Sequence, residues 1–421
     1  MFSADEYAVV ATGMPKDEDA VVVAGGGVAG LTVALALKQV GRRAVILESR
    51  PNLDQVGAGI NVQPAAVQAL VEHCDIPLDK LVAAGHVVRT QSYYTRDGRL
   101  VVAIDKGSAK IPQVSIHRTA LHGVLVDAMT SQGIELYTGQ KSVGYTERDG
   151  TVVVHTKSGA EFAGTALIGC DGIHSKLAPL VSGNPQESEL RHSGVVIFRG
   201  VARRRQPFLD GRTMVLVGDT KLKLVAYAIK QHADGTHDLN WVIETDLGAN
   251  AASPTADYRA TVPYSSVFEA IAAVGSLSVD FLDIEEMIRV TPAIGCWPMA
   301  DRVPMPSWTR GRVALTGDAA HPMLPVGSAG ATSAILDGAA VADAFAAAER
   351  EGWAGDVPRV LRTFEAARLE TVHRIQVSCH MMACEMIVEQ AEAAVPFGAP
   401  VPERYGERIR ATLKRMQSGS K

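Results

Sequence analysis

Cysteine is scarce in this chain. Five cysteines stand among 421 residues, at positions 74, 170, 296, 379 and 384, and no two of them form a C-x-x-C pair. Such pairs are typical of zinc sites and redox motifs, and densely spaced cysteines are typical of disulfide-stabilised secreted domains. We therefore expect neither a metal site nor a disulfide framework, and we interpret the cysteines as buried free thiols in a reducing compartment.

An excess of charge of either sign is also lacking. Lys and Arg number 41 against 46 Asp and Glu, which leaves a net charge of −5. Nucleic-acid-binding domains usually carry a basic excess, so the composition predicts no nucleic-acid partner. The chain also has no G-x-S-x-G nucleophile motif, no Walker phosphate loop and no H-E-x-x-H pair. Hydrolase, kinase and zinc-protease functions therefore have no support.

Long uninterrupted hydrophobic runs are absent as well. The most apolar stretch, residues 21–37, is interrupted by three consecutive glycines and is short for a membrane helix, so we expect no membrane span. Residues 1–19 contain five acidic residues and lack the basic segment and apolar run of a secretory signal. We predict that residues 1–19 are an N-terminal extension and that the protein is cytoplasmic.

The most informative stretch that is present begins at Val21. Three valines predict a buried strand, and Gly25, Gly27 and Gly30 follow it in G-x-G-x-x-G spacing before an apolar helical segment. In a strand–turn–helix unit of this kind, the first glycine permits a tight turn. The second lets the backbone approach a pyrophosphate, and the third lets the helix pack close to the sheet. The helix N-terminus then favours the negative charge of the phosphates.

A second strand and an acid complete this unit. Residues 44–47 are apolar and lead directly into Glu48. An acidic residue about 20 positions after the glycines accepts hydrogen bonds from ribose hydroxyls in dinucleotide-binding folds. Glycine-rich turns are common, but strand, turn, helix, strand and acid agree here, so the sequence predicts a dinucleotide site. The motif alone does not separate FAD from NAD.

Two more acids follow buried strands. Asp171 stands in the segment Cys170-Asp171-Gly172, and Asp318 follows Gly317. Ligands of open α/β sheets bind at the carboxyl ends of strands. Either acid alone could be a turn or helix cap, which is the commoner role of Asp at such a position. Together with the glycine motif, the two acids form a set of candidate ligand-binding positions at the ends of buried strands.

With this set, the chain resembles the class A flavoprotein aromatic monooxygenases, over roughly residues 21–374. It is most similar to the phenazine-carboxylate monooxygenase branch in segments 59–67, 115–118, 208–214 and 298–302. The resemblance implies an α/β fold with a Rossmann-like FAD-binding domain of the glutathione-reductase type. It also implies an inserted, mainly antiparallel substrate domain and C-terminal helices.

The domain boundaries follow from this pattern. We assign residues 20–85, 105–189 and 299–350 to the FAD-binding domain, 86–104 and 190–298 to the substrate domain, and 351–421 to a C-terminal helical segment. The predicted strands of the substrate domain are 194–201, 213–217, 223–229, 240–244 and 290–297, with one helix near 267–274. A further single strand is predicted at 162–168.

The resemblance also implies a set of cofactor-binding residues: Gly25, Gly27, Ala29, Gly30, Glu48, Ser49, Arg118, Val143, Asp171, Gly172, Asp318, Gly327 and Gly330. In this assignment Arg118 contacts the ribityl–phosphate region of FAD, and Val143 lies at the adenine. Asp171 and Gly172 form a turn that serves FAD, and Asp318 bonds the ribityl chain. Residues 325–330 lie beside the flavin ring.

Four residues are candidates for the reaction site. Arg199 and Tyr227 would orient a substrate, although an ion pair for the arginine and a core position for the tyrosine are the structural alternatives. His321 could orient substrate or simply fill the loop, because no charge partner is visible in the sequence. Pro325 begins the loop beside the flavin. We expect strands 194–201, 223–229 and 290–297 to form the floor of the substrate pocket and residues 325–330 to form its edge.

The function implied by the resemblance is hydroxylation of an aromatic or heteroaromatic small molecule. FAD, bound noncovalently and reduced by NAD(P)H, would react with O2 to give a C4a-hydroperoxide that transfers one oxygen atom to the ring. With a single dinucleotide motif, NAD(P)H would bind only transiently. The alternatives are epoxidation or Baeyer–Villiger oxidation of a polyketide-like substrate, or an FAD-binding protein without activity. A flavin halogenase is disfavoured because the chain lacks a W-x-W-x-I-P segment.

Overall fold

The computed structural model describes residues 19–53, 57–107, 109–248, 261–396 and 399–418. The predicted N-terminal extension therefore lies outside the described residues except for Asp19. The helices are α1 (Val28–Gln39), α2 (Pro64–Cys74), α3 (Leu78–Ala84), α4 (Arg118–Ser131), α5 (Ala178–Ser182), α6 (Tyr264–Val274), α7 (Ile284–Arg289), α8 (Ala329–Arg350), α9 (Val357–His380), α10 (Ala383–Ala394) and α11 (Glu403–Ser418).

Twenty strands are assigned within the same residues. They are β1 (Val21–Ala24), β2 (Ala44–Leu47), β3 (Gly59–Val62), β4 (Gly85–Val88), β5 (Thr90–Tyr94), β6 (Leu100–Asp105), β7 (Gln113–His117), β8 (Glu135–Tyr137), β9 (Ser142–Arg148), β10 (Thr151–Thr156), β11 (Glu161–Gly164), β12 (Ala166–Gly169), β13 (Arg191–Arg204), β14 (Thr213–Gly218), β15 (Leu222–Gln231), β16 (His237–Asp246), β17 (Thr261–Val262), β18 (Ile294–Asp301), β19 (Thr309–Arg310) and β20 (Val313–Leu315).

A six-stranded, mainly parallel sheet forms the nucleotide-binding layer, in the order β19-β20-β12-β1-β2-β8. Its central strands are uninterrupted apolar runs because both faces are covered. β1, β12 and β20 are parallel neighbours, so their carboxyl ends meet at one edge. This order places the glycine turn, Asp171 and Asp318 at that edge, as expected for a ligand site in an open α/β sheet.

An eight-stranded, mainly antiparallel sheet forms the second layer, in the order β17-β18-β13-β16-β15-β14-β5-β6. Its residues alternate between two apolar clusters, as the period of a strand requires. On β15, Val225 and Tyr227 face the cluster that includes α10 and α11, whereas Leu224 and Ala226 face the cluster that includes α6 and α7. The first of these faces also meets the loop before α8 through Leu324.

Two small antiparallel sheets complete the fold, in the orders β3-β7-β4 and β11-β10-β9. Their positions correct two boundaries that were predicted from the sequence. The single strand predicted at 162–168 is two strands, because the backbone breaks at Thr165, which donates to the carbonyl of Ala20. β11 joins β10, and β12 joins the parallel sheet. Segment 86–104 is also divided, since β4 pairs with β7 while β5 and β6 join the large sheet.

The strand predicted at 290–297 begins only at Ile294. Residues 290–293 lie in neither a helix nor a strand. The helix before them, α7, was not predicted from the sequence, and Asp283 caps it by accepting from the backbone N–H of Glu286 at 2.8 Å. All five cysteines are free and buried, as the sequence predicts.

Helix α8 is long and apolar enough to cross a membrane by composition alone, but 67% of its most apolar window is buried inside the protein. It packs against α1, α2 and α9. Its hydrophobic composition therefore reflects its place as the central helix behind the parallel sheet.

Candidate functional site

The glycine turn after β1 is shaped by two close contacts and one open face. Gly25 has φ +121°, and a Cβ there would lie 2.3 Å from the carbonyl oxygen of Cys170. A Cβ on Gly30 would lie 1.8 Å from the carbonyl oxygen of Gly25. A Cβ on Gly27 would meet no described atom within 4 Å. Gly25 and Gly30 thus permit packing, whereas Gly27 leaves space in front of α1.

That space belongs to a cavity of about 260 Å³, which we call the nucleotide cleft. No side chain in the described part of the chain caps α1, and its first turn contains no acid. The carboxylate of Glu48 accepts from the backbone N–H of Gly26 at 2.9 Å and from that of Arg50 at 2.8 Å. Ser49 donates its hydroxyl to the same carboxylate at 3.0 Å. An uncapped helix start beside a fixed acid suits a phosphate and a ribose.

Asp171 forms the far wall of the cleft but keeps its carboxylate within its own turn. It accepts from the hydroxyl of Ser175 at 2.6 Å and from the backbone N–H of Lys176 at 2.7 Å. Burial raises the pKa of Asp171, and these hydrogen bonds oppose the rise. Gly172, at φ +79°, has open space where a Cβ would stand. Asp171 therefore shapes the turn, and it lines the cleft together with Gly172.

The other predicted cofactor residues divide into three groups. Arg118 lines the nucleotide cleft, and Asp318, Gly327 and Gly330 line a second cavity. Ala29 lies in the first turn of α1. Val143 is 44% exposed and is not among the described lining residues, although its neighbour Ser142 lines the cleft.

The second cavity, of about 250 Å³, lies between the large sheet and the loop 325–330, and we call it the sheet cavity. Its floor comes from β13, β14, β15 and β16, and its opposite wall from β3 and residues 323–331. The expectation that strand 290–297 belongs to the floor is wrong. None of the described lining residues comes from β18, because β18 lies beyond β13 in the strand order.

Arg199 joins the large sheet to β3 at this cavity. Its guanidinium donates to the carbonyl of Gly59 at 2.6 Å and lies 5.7 Å from the centre of the Trp297 ring. The side-chain oxygen of Asn240 accepts from the N–H of the same Gly59 at 2.6 Å. Burial lowers the pKa of Arg199. The alternative role in an ion pair is not what the structure shows, because the guanidinium donates its hydrogen bond to a backbone carbonyl.

Tyr227 lines the sheet cavity and is 4% exposed. Burial raises its pKa to about 12, so the phenol stays protonated and can donate a hydrogen bond. Trp241 lies on the other side of the sheet, fully buried, where its indole N–H donates to Thr291 at 2.8 Å. Of these two aromatic residues, only the tyrosine can reach a ligand in this cavity.

His321 is placed differently from the expectation that it could touch substrate. Its ring is completely buried and lines none of the described cavities. Its Nε2 lies 2.6 Å from the carboxylate of Asp337, and its ring stacks near Trp308. Sequence inspection showed no charge partner because Asp337 lies on the next helix. His321 therefore packs in the core beside Asp337 and Trp308 and does not reach a ligand in the described cavities. Pro325, by contrast, is exposed and lines the sheet cavity.

A polar group in the sheet cavity was missed by the sequence analysis. Lys223 and Glu244 line the cavity side by side, and Gln91 lies on the same wall. Glu385 of α10 reaches the same lysine from behind. One signal could have revealed them. Lys223 stands two residues before Val225 on β15 and Glu244 two residues after Val242 on β16, so each is a charged residue on an otherwise apolar strand face.

A family model described as an FAD binding domain matches residues 18–377 of this chain. The chain belongs to this family. It is an enzyme, FAD is its cofactor, and the membership that the sequence motifs suggested is confirmed.

Curated relatives include a phenazine 1,6-dicarboxylic acid hydroxylase, PhzS, from Lysobacter antibioticus. It is 33% identical over 364 residues, which cover 83% of this chain and 86% of the relative. A 3-hydroxybenzoate 6-hydroxylase from Aquipseudomonas alcaligenes is 29% identical over 376 residues, covering 85% and 86%. The relatives are aromatic hydroxylases and monooxygenases, and the chain is an FAD-dependent monooxygenase of this kind.

Solved structures support the fold. Klebsiella pneumoniae HpxO in complex with FAD and uric acid has a TM-score of 0.73 at 21% identity, covering 95% of each chain. CtdE in complex with FAD and a substrate has a TM-score of 0.74 at 19% identity, covering 95% of this chain and all of that one. The predicted fold class is therefore confirmed.

Proposed function

We propose that this enzyme hydroxylates an aromatic or heteroaromatic small molecule in the sheet cavity, with NAD(P)H as reductant and O2 as oxidant. The observation that carries the proposal is the lining of this cavity, which lies between the large sheet and the loop 325–330. One side is a mainly apolar sheet with Arg199 and Tyr227, and the other is the loop 325–330 before α8. Mostly apolar walls with a few polar groups are what a small-molecule site requires.

The residues fit FAD along the edge of the parallel sheet. The pyrophosphate would occupy the open face of Gly27 at the start of α1, and Glu48 would hold the adenosine ribose. Arg118, Asp171 and Gly172 would continue this path, with the adenine near Ser142 and the adjacent Val143. Asp318 would then bond the ribityl chain, and Gly327 and Gly330 would lie beside the ring.

When bound, FAD supplies electron transfer from NAD(P)H and activation of O2 for transfer of one oxygen atom to the substrate. The protein positions the ring and excludes water through the apolar side chains of the floor. Arg199 and Tyr227 would orient a polar substituent. Epoxidation and Baeyer–Villiger oxidation use the same cofactor, and the hydroxylases among the relatives favour hydroxylation here.

The co-substrate and the location belong to the same proposal. The chain carries a single dinucleotide motif, so NAD(P)H would visit the flavin without a Rossmann domain of its own. We place the enzyme in the cytoplasm, which agrees with five buried free thiols that a reducing compartment would keep reduced.

The test is a substrate screen on the purified, FAD-containing protein. The panel would contain hydroxybenzoates and phenazine carboxylates, because relatives act on such compounds, and NADH and NADPH would each be supplied. We expect a yellow protein and substrate-dependent oxidation of one reductant with formation of a product heavier by one oxygen atom. A protein that binds FAD but oxidises neither reductant with any ring compound would point to the non-catalytic alternative.

The change Asp318→Ala is expected to weaken FAD binding by about 10–100-fold, because a hydrogen bond to a charged acceptor contributes ~1.5–3 kcal/mol. The measurement is titration of the apoprotein with FAD. Asp343→Ala is the matched control, since Asp343 is a 68% exposed acid on α8. Equal affinities in the two variants would show that Asp318 is only part of a turn.

The change Arg199→Ala is expected to raise the KM for substrate by about 10–100-fold, through loss of a charge-assisted hydrogen bond. It should also divert NAD(P)H oxidation to hydrogen peroxide, because a loosely bound substrate ring is not in position to receive the oxygen atom. Arg203→Ala is the control, an exposed arginine of the same strand that pairs with Asp238. Unchanged KM and full coupling in Arg199→Ala would assign Arg199 to the fold alone.

A further inference from the structure

Three ionisable side chains form a buried cluster at the inner wall of the sheet cavity. The ammonium of Lys223 lies 2.8 Å from Glu385 and 2.9 Å from Glu244, and the three side chains are only 2–3% exposed. Lys223 and Glu244 are cross-strand partners on β15 and β16, so the sheet register fixes them opposite each other. Glu385 arrives from α10. We call these residues the Lys–Glu–Glu cluster.

The cluster is unbalanced in charge and in hydrogen bonds. Two carboxylates share one ammonium, so full ionisation leaves one excess negative charge out of water, which is costly. The ammonium donates a hydrogen bond to Glu385. The Oε2 atom of Glu244 is close enough for ion pairing but accepts no well-aligned hydrogen bond from the described residues. Glu244 lines the cavity, whereas Glu385 does not.

We propose that Glu244 is a catalytic base that binds a ring hydroxyl of the substrate and accepts its proton. This inference rests on the proposed aromatic substrate. The O–H bond breaks, the proton moves to the Glu244 carboxylate, and the electron pair stays on the ring oxygen. The cluster becomes neutral, and the negative charge passes to the ring, where Lys223 and Arg199 are the nearby cations. A ring enriched in electrons is the better acceptor of an electrophilic oxygen.

The surroundings adjust the basicity of Glu244. The charged groups that face it are Lys223 from β15, Glu385 from α10 and Arg199 from β13. Burial raises the pKa of Glu244, Lys223 opposes this, and Glu385 adds to it. A raised pKa brings a carboxylate towards the working pH, where a general base is most effective.

Lys223 and three groups around Glu385 each keep one protonation state. Burial would lower the pKa of Lys223, but its two carboxylates outweigh burial and raise it, so the lysine remains charged. Tyr93, Cys379 and Cys384 lie around Glu385, and burial raises the pKa of each, so they remain neutral. Glu244 is the carboxylate of the cluster that lines the cavity, so it is the one that a substrate hydroxyl can reach.

The first experiment measures the ionisation of a bound phenol without turnover. 4-Nitrophenol, whose phenolate absorbs visible light, is titrated into the FAD-loaded enzyme and followed by difference spectroscopy at a series of pH values. We expect the wild type to bind it as phenolate at pH values where the free compound is largely neutral. Glu244→Gln should bind it in the neutral form, with at least a tenfold smaller phenolate fraction at the same pH. Binding as neutral phenol to the wild type, or no binding at all, would overturn the inference.

The second experiment uses the best substrate of the screen. Glu244→Gln should lower kcat by about 10²–10⁴-fold, the usual contribution of a general base, while FAD content stays normal. Because a protonated Glu244 cannot accept a proton, kcat/KM should rise with pH through the raised pKa. Glu385→Gln removes the neighbouring negative charge, so this rise should move to lower pH, which a purely structural role would not cause. Glu349→Gln, on an exposed side chain of α8, should change neither profile.

These measurements separate the inference from the proposed function. If no ring compound is hydroxylated but phenolate binding depends on Glu244, the base assignment stands and the reaction class fails. If hydroxylation proceeds in Glu244→Gln with an unchanged pH profile, the base assignment fails alone. Should Glu244→Gln not accumulate as a folded protein, the pH shift in Glu385→Gln decides, and an unmoved profile would contradict the proposal.

Discussion

Replacing Gly30 by alanine is expected to destabilise the folded protein by several kcal/mol, on the order of 3–5. The new methyl group would lie 1.8 Å from the carbonyl oxygen of Gly25, and both atoms belong to backbone that is fixed between α1 and β1. Neither can move without opening the parallel sheet. Urea unfolding of the purified variant, or its loss to aggregation, is the measurement.

Gly27→Ala is the matched comparison, because its methyl group meets no described atom within 4 Å. This variant should unfold at nearly the wild-type urea concentration when free of FAD. It should nevertheless bind FAD at least tenfold more weakly, since the methyl group occupies the space we assign to the pyrophosphate. Normal FAD affinity in Gly27→Ala would show that the pyrophosphate does not bind at this position.

The second large effect concerns the change Lys223→Met. It leaves the carboxylates of Glu244 and Glu385 buried without a cation, and the loss of one partner from a buried ion cluster costs ~3–5 kcal/mol. The free energy of unfolding should fall by that amount. The control is Lys221→Met, an exposed lysine two residues earlier on the chain, which should change stability little.

A triple variant tests the cause. With Lys223→Met, Glu244→Gln and Glu385→Gln together, no ionisable group of the cluster remains, and most of the lost stability should return. A triple variant as unstable as Lys223→Met alone would mean that packing of the lysine stem, not charge, governs the effect.

The dinucleotide site could be predicted because its signal is local. Gly25, Gly27, Gly30 and Glu48 lie within one strand–helix–strand unit, and each residue type is required by the backbone or by the ligand. The turn at Asp171 was predictable for the same reason. The sequence also predicted most strands of the large sheet, because both of its faces pack on apolar clusters and its strands are therefore short apolar runs.

The Lys–Glu–Glu cluster could not be predicted in this way. Lys223 and Glu385 are separated by 162 positions, and only the packing of α10 on the sheet brings them together. The same limit applies to His321, whose partner Asp337 is supplied by a different helix. The break at Thr165 was hidden because both flanking strands are apolar, and hydrophobicity alone does not show where a chain passes between sheets.

The peptide of Gly59 is held on both sides by the large sheet. Arg199 binds its carbonyl, and Asn240 binds its N–H. Arg199 and Asn240 therefore connect β3, the strand beside the proposed flavin position, to the floor of the sheet cavity through hydrogen bonds. A ligand that displaces Arg199 shifts the strand, so flavin and substrate should bind with a shared coupling free energy. Thermodynamic reciprocity then requires that FAD change substrate affinity by the same factor as substrate changes FAD affinity.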